Sequence, residues 1–168
     1  LLQKQLESVE LDGMLAMGPA QQVFADGYVG RLLCSLDIVV IAAKSLRLQA
    51  AELRDCASQG WVLNPDGCGL RAGLIRELQA QGLRLQLNVE TAGAHLQIGL
   101  VAQGQGLGLV PRAALAASPW RDEVTALTLA DFQPAVCLWQ VSAQNLANLQ
   151  QPFTFFAGKI VQQLTLSD

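Results

Sequence analysis

His95 to Leu115 reads HLQIGLVAQGQGLGLVPRAAL, and the order of its parts decides the fold. A helix over about Gly93 to Gln103 ends at Gly104, a turn follows, Leu107 to Val110 forms a strand, and Pro111 leads into a short Ala-rich helix. The run QGQGLGL invites comparison with a dinucleotide-binding glycine loop. In that loop, however, the glycines follow a strand and open a helix, so that a pyrophosphate meets the helix N-terminus. Here they follow a helix and open a strand. They read as a helix cap and a tight turn into a buried strand.

Upstream, the same alternation repeats. Thr91 stands before the helix as its expected N-cap, since its hydroxyl can accept an unpaired backbone N–H. Leu83 to Glu90 alternates Leu83, Leu85, Leu87 and Val89 with polar residues, a strand with one wet face. Gly69 to Gln81 carries Leu70, Leu74, Ile75 and Leu78 on one helical stripe, and Gly82 stands at the capping position. Asn64-Pro65-Asp66-Gly67 is a dense run of turn formers after the short strand Trp61 to Leu63. Ala50 to Ser58 suits a short helix. Leu36 to Ala43, LDIVVIAA, is apolar and β-branched throughout, which predicts a central strand covered on both faces. The stretch from Gly18-Pro19 to Arg31 reads as loop, Gly13 to Met17 as a strand, and Leu2, Leu6 and Val9 as one face of a short helix. Downstream, strands are expected at Val124 to Leu129 and Ala135 to Ser142. A closing helix follows, with a stripe of Phe153, Phe156, Ile160, Val161 and Leu164 and Pro152 in its first turn. Strands alternating with helices predict an α/β fold with a mainly parallel sheet.

Composition narrows the function. With 168 residues, 51% of them hydrophobic, the chain has enough apolar material for a sizeable core and reads as a soluble globular protein. Eleven Lys and Arg against 14 Asp and Glu give a net charge of −3, the wrong sign for a module that must neutralise phosphates. The longest apolar run, Ile38 to Ala43, falls far short of the ~20 residues that span a bilayer. The opening LLQKQLESVE has no initiator Met and no basic-then-apolar leader, so the chain reads as part of a longer, cytoplasmic protein. Cys34, Cys56, Cys68 and Cys137 form no CxxC pair and read as reduced thiols, with two disulfides in an exported protein as the alternative. His95 is the only histidine, there is no GxSxG elbow, and the carboxylates are scattered; neither a metal, a cofactor nor an enzyme is expected.

Several stretches together resemble one family. Residues 1 to 16, LLQKQLESVELDGMLA, are similar to the LLxxLxxGELDxAL segment of LysR-type transcriptional regulators, within the effector-binding domain. LDIVVIAAKSL resembles that domain's crossover strand, WVLNPDGCGLR its tryptophan-led strand and turn, and HLQIGLVAQGQGLGLVPRAAL its helix–glycine–strand passage. AVCLWQVS and the closing amphipathic helix follow in the same order. Two departures stand out: the family's domain begins with a strand, a helix and a second strand that have no counterpart here, and Lys44-Ser45-Leu46 stands where a His-Pro pair is usual.

The resemblance implies a type 2 periplasmic-binding-protein-like fold: two Rossmann-like lobes joined by two crossover strands, with a small-molecule effector between them and the first lobe incomplete. Lobe one would hold residues 1–42 and 143–168, and lobe two residues 43–142. It also implies a homodimer or tetramer in the full-length protein, paired through the Gly69 to Gln81 helix, and DNA contact only through a separate N-terminal domain. The physical reading of the residues adds where an effector would bind. The turns Asn64-Pro65-Asp66-Gly67-Cys68-Gly69 and Glu90-Thr91-Ala92-Gly93 both follow strands and open helices, and helix N-termini offer unpaired N–H groups and a positive dipole end to an anion. Candidate contacts are therefore Asn64, Gly67, Cys68, Gly69, Thr91, Ala92, Gly93 and His95, with Met17, Gly18 and Pro19 from the other lobe. Asp66 and Thr91 have the alternative role of helix caps, and His95 that of an ordinary surface or core histidine. A solute-binding protein of a transport system, or an enzyme on the same fold, is the competing function.

Overall fold

The computed structural model describes residues 11–66, 68–144 and 146–165, so the helix expected around Leu2, Leu6 and Val9, and the candidate Gly67, lie outside the described residues. The chain forms two compact units: Leu1–Leu36 with Val136–Asp168, and Asp37–Ala135. The divisions thus fall six to seven residues before the positions expected from the sequence. The strands that pass from one unit to the other are continuous. What marks the first division is the burial change from exposed Asp37 to the unbroken buried run Ile38 to Ala43.

Unit two is built on that run. Strand β2 (Tyr28–Ala43) contributes Ile38 to Ala43, which pairs antiparallel with β5 (Leu107–Pro111), Val40 opposite Leu109, and with β6 (Val124–Leu127), Ile41 opposite Ala126. On the far side of β5, β3 (Trp61–Leu63) runs parallel to both β5 and β4 (Leu87–Glu90). The sheet is mixed rather than mainly parallel. Parallel neighbours need a crossover connection, which helices supply from β3 to β4 and from β4 to β5, whereas β2 pairs antiparallel with both β5 and β6.

Helix α1 (Gly69–Ala80) buries Leu70, Leu74 and Leu78, the stripe its spacing predicts. Helix α2 (Ala94–Ala102) buries Gln97, Ile98 and Val101, and the last two pack with Val39, Ile41, Val62, Val110 and Val124. Gln97 Nε2 donates to the Val62 carbonyl at 2.6 Å, beside the point where the β3–β4 register shifts between Trp61 and Val62. After α2 the glycine run makes the cap and turn expected of it. Gly106 has φ +142°, and a Cβ there would lie 2.9 Å from the Gly60 carbonyl oxygen, so no other residue fits. Helix α3 (Arg112–Ala116) follows β5 directly.

Two elements are shorter than the sequence suggests. The strand expected over Leu83 to Glu90 is confined to Leu87–Glu90, because its partner β3 has only three residues to pair with. The helix expected over Ala50 to Ser58 is a single 3-10 turn, Leu53–Cys56, closed by reciprocal Glu52 and Asp55 capping bonds.

In unit one, β1 (Gly13–Gly18) pairs antiparallel with β7 (Ala135–Ala143), Ala16 opposite Trp139, and β7 neighbours β2. β2 starts at Tyr28, inside the stretch read as loop. Residues Tyr28 to Leu36 are half-buried or exposed, and their alternation is broken at Arg31-Leu32 and again at Leu33-Cys34. Helix α4 (Gln150–Thr165) has Pro152 in its first turn; Phe153 lies over Gly13, while Phe156 is 53% exposed and Ala157 is buried in its place.

Candidate functional site

Because β3 and β4 are parallel neighbours, with Leu63 opposite Glu90, their carboxyl ends stop side by side. The Thr91 N–H closes the pair by donating to the Leu63 carbonyl at 2.9 Å. Helices α1 and α2 begin just beyond, so two helix N-termini open at one sheet edge. Asn64 joins them: its Oδ1 accepts from the Gly93 N–H at 3.2 Å, and its Nδ2 lies 3.8 Å from the Cys68 sulfur. Arg71, in the first turns of α1, is the second tie. Its Nη1 donates to the Asn64 carbonyl at 3.2 Å and to Glu90 Oε2 at 2.6 Å, while its Nε lies 3.1 Å from Asp66 Oδ1.

The structure therefore brings together Asn64, Cys68, Gly69, Thr91 and Gly93 of the candidate residues; Ala92 and His95 are exposed beside them. The expected caps are corrected. The N-cap of α1 is Cys68, without a side-chain bond, and Asp66 turns instead to Arg71. The N-cap of α2 is Gly93, with φ +88°; Thr91 stands two residues earlier, where its backbone completes the strand ladder. Neither helix start is closed by a side chain of its own cap. Arg71 and Glu90, which hold the two turns in place, were not among the candidates. Arg71 sits off the apolar stripe of α1, as a solvated residue would, and only the parallel pairing of β3 with β4 gives it partners.

Met17 and Gly18 are the last paired residues of β1 in unit one, opposite Leu138 and Cys137, and Pro19 follows them. Met17 and Gly18 line a cavity of about 140 Å³ whose other walls include Phe24, Tyr28 and Trp139. The Pro19 carbonyl accepts the Trp139 indole N–H at 3.1 Å. These aromatics were also missed, since they come from a stretch read as loop and from a strand far along the chain. All four cysteines are free thiols, and burial pushes the Cys56 thiol up to about 11. Among the described residues no helix is long and apolar enough to cross a membrane.

The family described as LysR substrate binding domain matches residues 1–151. The chain belongs to this family. As a LysR substrate-binding domain it has the type 2 periplasmic-binding-protein-like α/β fold and is a ligand-sensing regulator domain. It is similar to the Synechocystis CcmR regulatory domain solved in complex with 2-PG, at 14% identity and TM-score 0.77, over 96% of this chain and 78% of that one. It is similar also to the effector binding domain of QuiR in complex with shikimate, at 16% identity and TM-score 0.72, over 96% and 77%. Against HinK, a LysR family transcriptional regulator from Pseudomonas aeruginosa, identity is 17% and TM-score 0.68, over 94% of this chain but only 56% of that one. No curated protein matches the chain.

Proposed function

We propose that this LysR domain senses a small metabolite bearing a carboxylate or phosphate, which binds in unit two against the N-termini of α1 and α2. The observation that carries this reading is the side-by-side ending of β3 and β4, with both following helices uncapped by side chains and tied together through Asn64 and Arg71. Backbone N–H groups at two helix starts offer an anion several donors and two positive dipole ends. The contacts on this reading are Asn64, Gly67, Cys68, Gly69, Thr91, Ala92, Gly93 and His95. The two units are the two lobes of the domain.

Sensing on this reading requires no covalent chemistry. An effector that prefers one arrangement of the protein shifts the population towards it, and a DNA-binding domain elsewhere in a cytoplasmic homodimer or tetramer reads the shift. Two relatives of this fold were solved with small ligands, 2-PG and shikimate, which supports an effector of similar size. Membership of a regulator family favours this over a transport role.

Titration calorimetry of the protein against organic acids and sugar phosphates tests the proposal. An anionic hit is expected whose affinity falls in Thr91→Val and Asn64→Ala. Hits confined to neutral or cationic compounds, or an affinity indifferent to both substitutions, would overturn it.

A further inference from the structure

We propose that unit one carries a second small-molecule site, shaped for one uncharged aromatic ring. The cavity beside β1 and β7 is walled by Met14, Ala16, Met17, Phe24, Tyr28 and Trp139 and measures about 140 Å³. An apolar protein cavity of roughly 150 Å³ holds one benzene molecule. Among the described residues that line this cavity none is charged. A carboxylate or ammonium group entering it would shed its water with no counter-ion to meet, whereas a neutral ring exchanges water for aromatic faces and methionine sulfur.

The walls are fixed in place, so the space is not slack beneath a loop. The Phe24 ring lies directly over Gly30, where any Cβ would overlap it, and meets the Trp139 ring edge-on with centroids 5.4 Å apart. Trp139 in turn donates its indole N–H to the Pro19 carbonyl. Gly18 leaves room for Gln22, whose Oε1 would lie 2.9 Å from a Cβ at that position, and Gln22 Nε2 donates to the Val23 carbonyl at 3.2 Å. The segment of residues 19–27 is thus tied to the sheet through Pro19 and Phe24, both of which meet Trp139. This goes beyond the anion reading of unit two; Met17 and Gly18, which the sequence offered as effector contacts, line this cavity of unit one.

The chain has two methionines, and both line the cavity; Met14 is not among the contacts of the anion reading, so in a protein labelled with 13C at its methionine methyl groups the Met14 methyl reports on this site alone. Titration with phenol is expected to shift both methyl resonances saturably, and benzoate, at matched concentration, to bind at least about tenfold more weakly. Ala16→Leu, which fills the space opposite Trp139, should abolish the phenol response. Thr91→Val should leave it intact, so that failure of the anion site and failure of this one are distinguishable. No saturable phenol shift at either methyl, an equal response to benzoate, or an undiminished response in folded Ala16→Leu would overturn the proposal. Should that variant not fold, the comparison of phenol with benzoate on the unaltered protein decides alone.

Discussion

Arg71 is the residue on which the geometry of the two turns rests, and Arg71→Ala removes its ties together. Its side chain is only 11% exposed, while Glu90 is 48% and Asp66 85% exposed. The bond to the Asn64 carbonyl, made by a charged donor at a half-buried site, contributes ~1–1.5 kcal/mol. The Glu90 pair, discounted for solvent on the carboxylate side, adds ~0.5–1 kcal/mol, and the Asp66 contact nothing measurable. Loss of the packed methylene stem removes a further ~0.5 kcal/mol. The expected destabilisation is therefore ~2–3 kcal/mol, or a fall in Tm of ~4–12 °C for a protein of this size. Urea and thermal unfolding followed by circular dichroism measure it. In a double-mutant cycle with Glu90→Gln the coupling should be ~0.5–1 kcal/mol. If Arg71→Ala changes stability by less than ~0.5 kcal/mol, as surface substitutions do, the tie between the turns is not what holds them.

Two further predictions concern the core around that site. Gln97→Ala removes the bond to the Val62 carbonyl and opens a hole under α2, at a cost of ~2–4 kcal/mol, whereas Gln97→Met keeps the volume and should lose about half as much. Equal losses in urea unfolding would show that volume plays no part. Burial, followed by the charges of Asp55 and Asp131, raises the Cys56 thiol from 9.0 to about 11. Folding thus favours the neutral thiol, and this contribution is fully present below about pH 9.0 and is lost as pH rises towards 11. Cys56→Ala should flatten the alkaline limb of the stability–pH curve, and an unchanged slope between those values would contradict the assignment.

The local elements and their order were legible in the sequence wherever one physical signal dominated. Ile38 to Ala43 announces a doubly covered strand because every residue is apolar, and α1 is readable because Leu70, Leu74 and Leu78 repeat at helical spacing. The glycines of QGQGLGL read as a cap and turn because their place after a helix excludes a phosphate loop. Half-buried backbone was harder: Tyr28 to Leu36 is strand with broken alternation, and Leu83 to Gln86 alternates without being strand. Strand formation there depends on whether a partner lies alongside, which local composition does not encode.

By itself the sequence determined the α/β class, the succession of strands and helices, the family resemblance, and the two turns that follow strands and open helices. Tertiary structure alone decided which strands run parallel and where the units divide. It alone showed that Asp66 serves Arg71 rather than its helix, and that Phe24, Tyr28 and Trp139 meet around one cavity. The physical reason is range. Propensity, capping and periodicity act over a few residues and leave a mark in the local sequence. Ion pairs, parallel pairing and cavity walls join residues that are distant along the chain, and which of them meet is set only when the sheet is assembled.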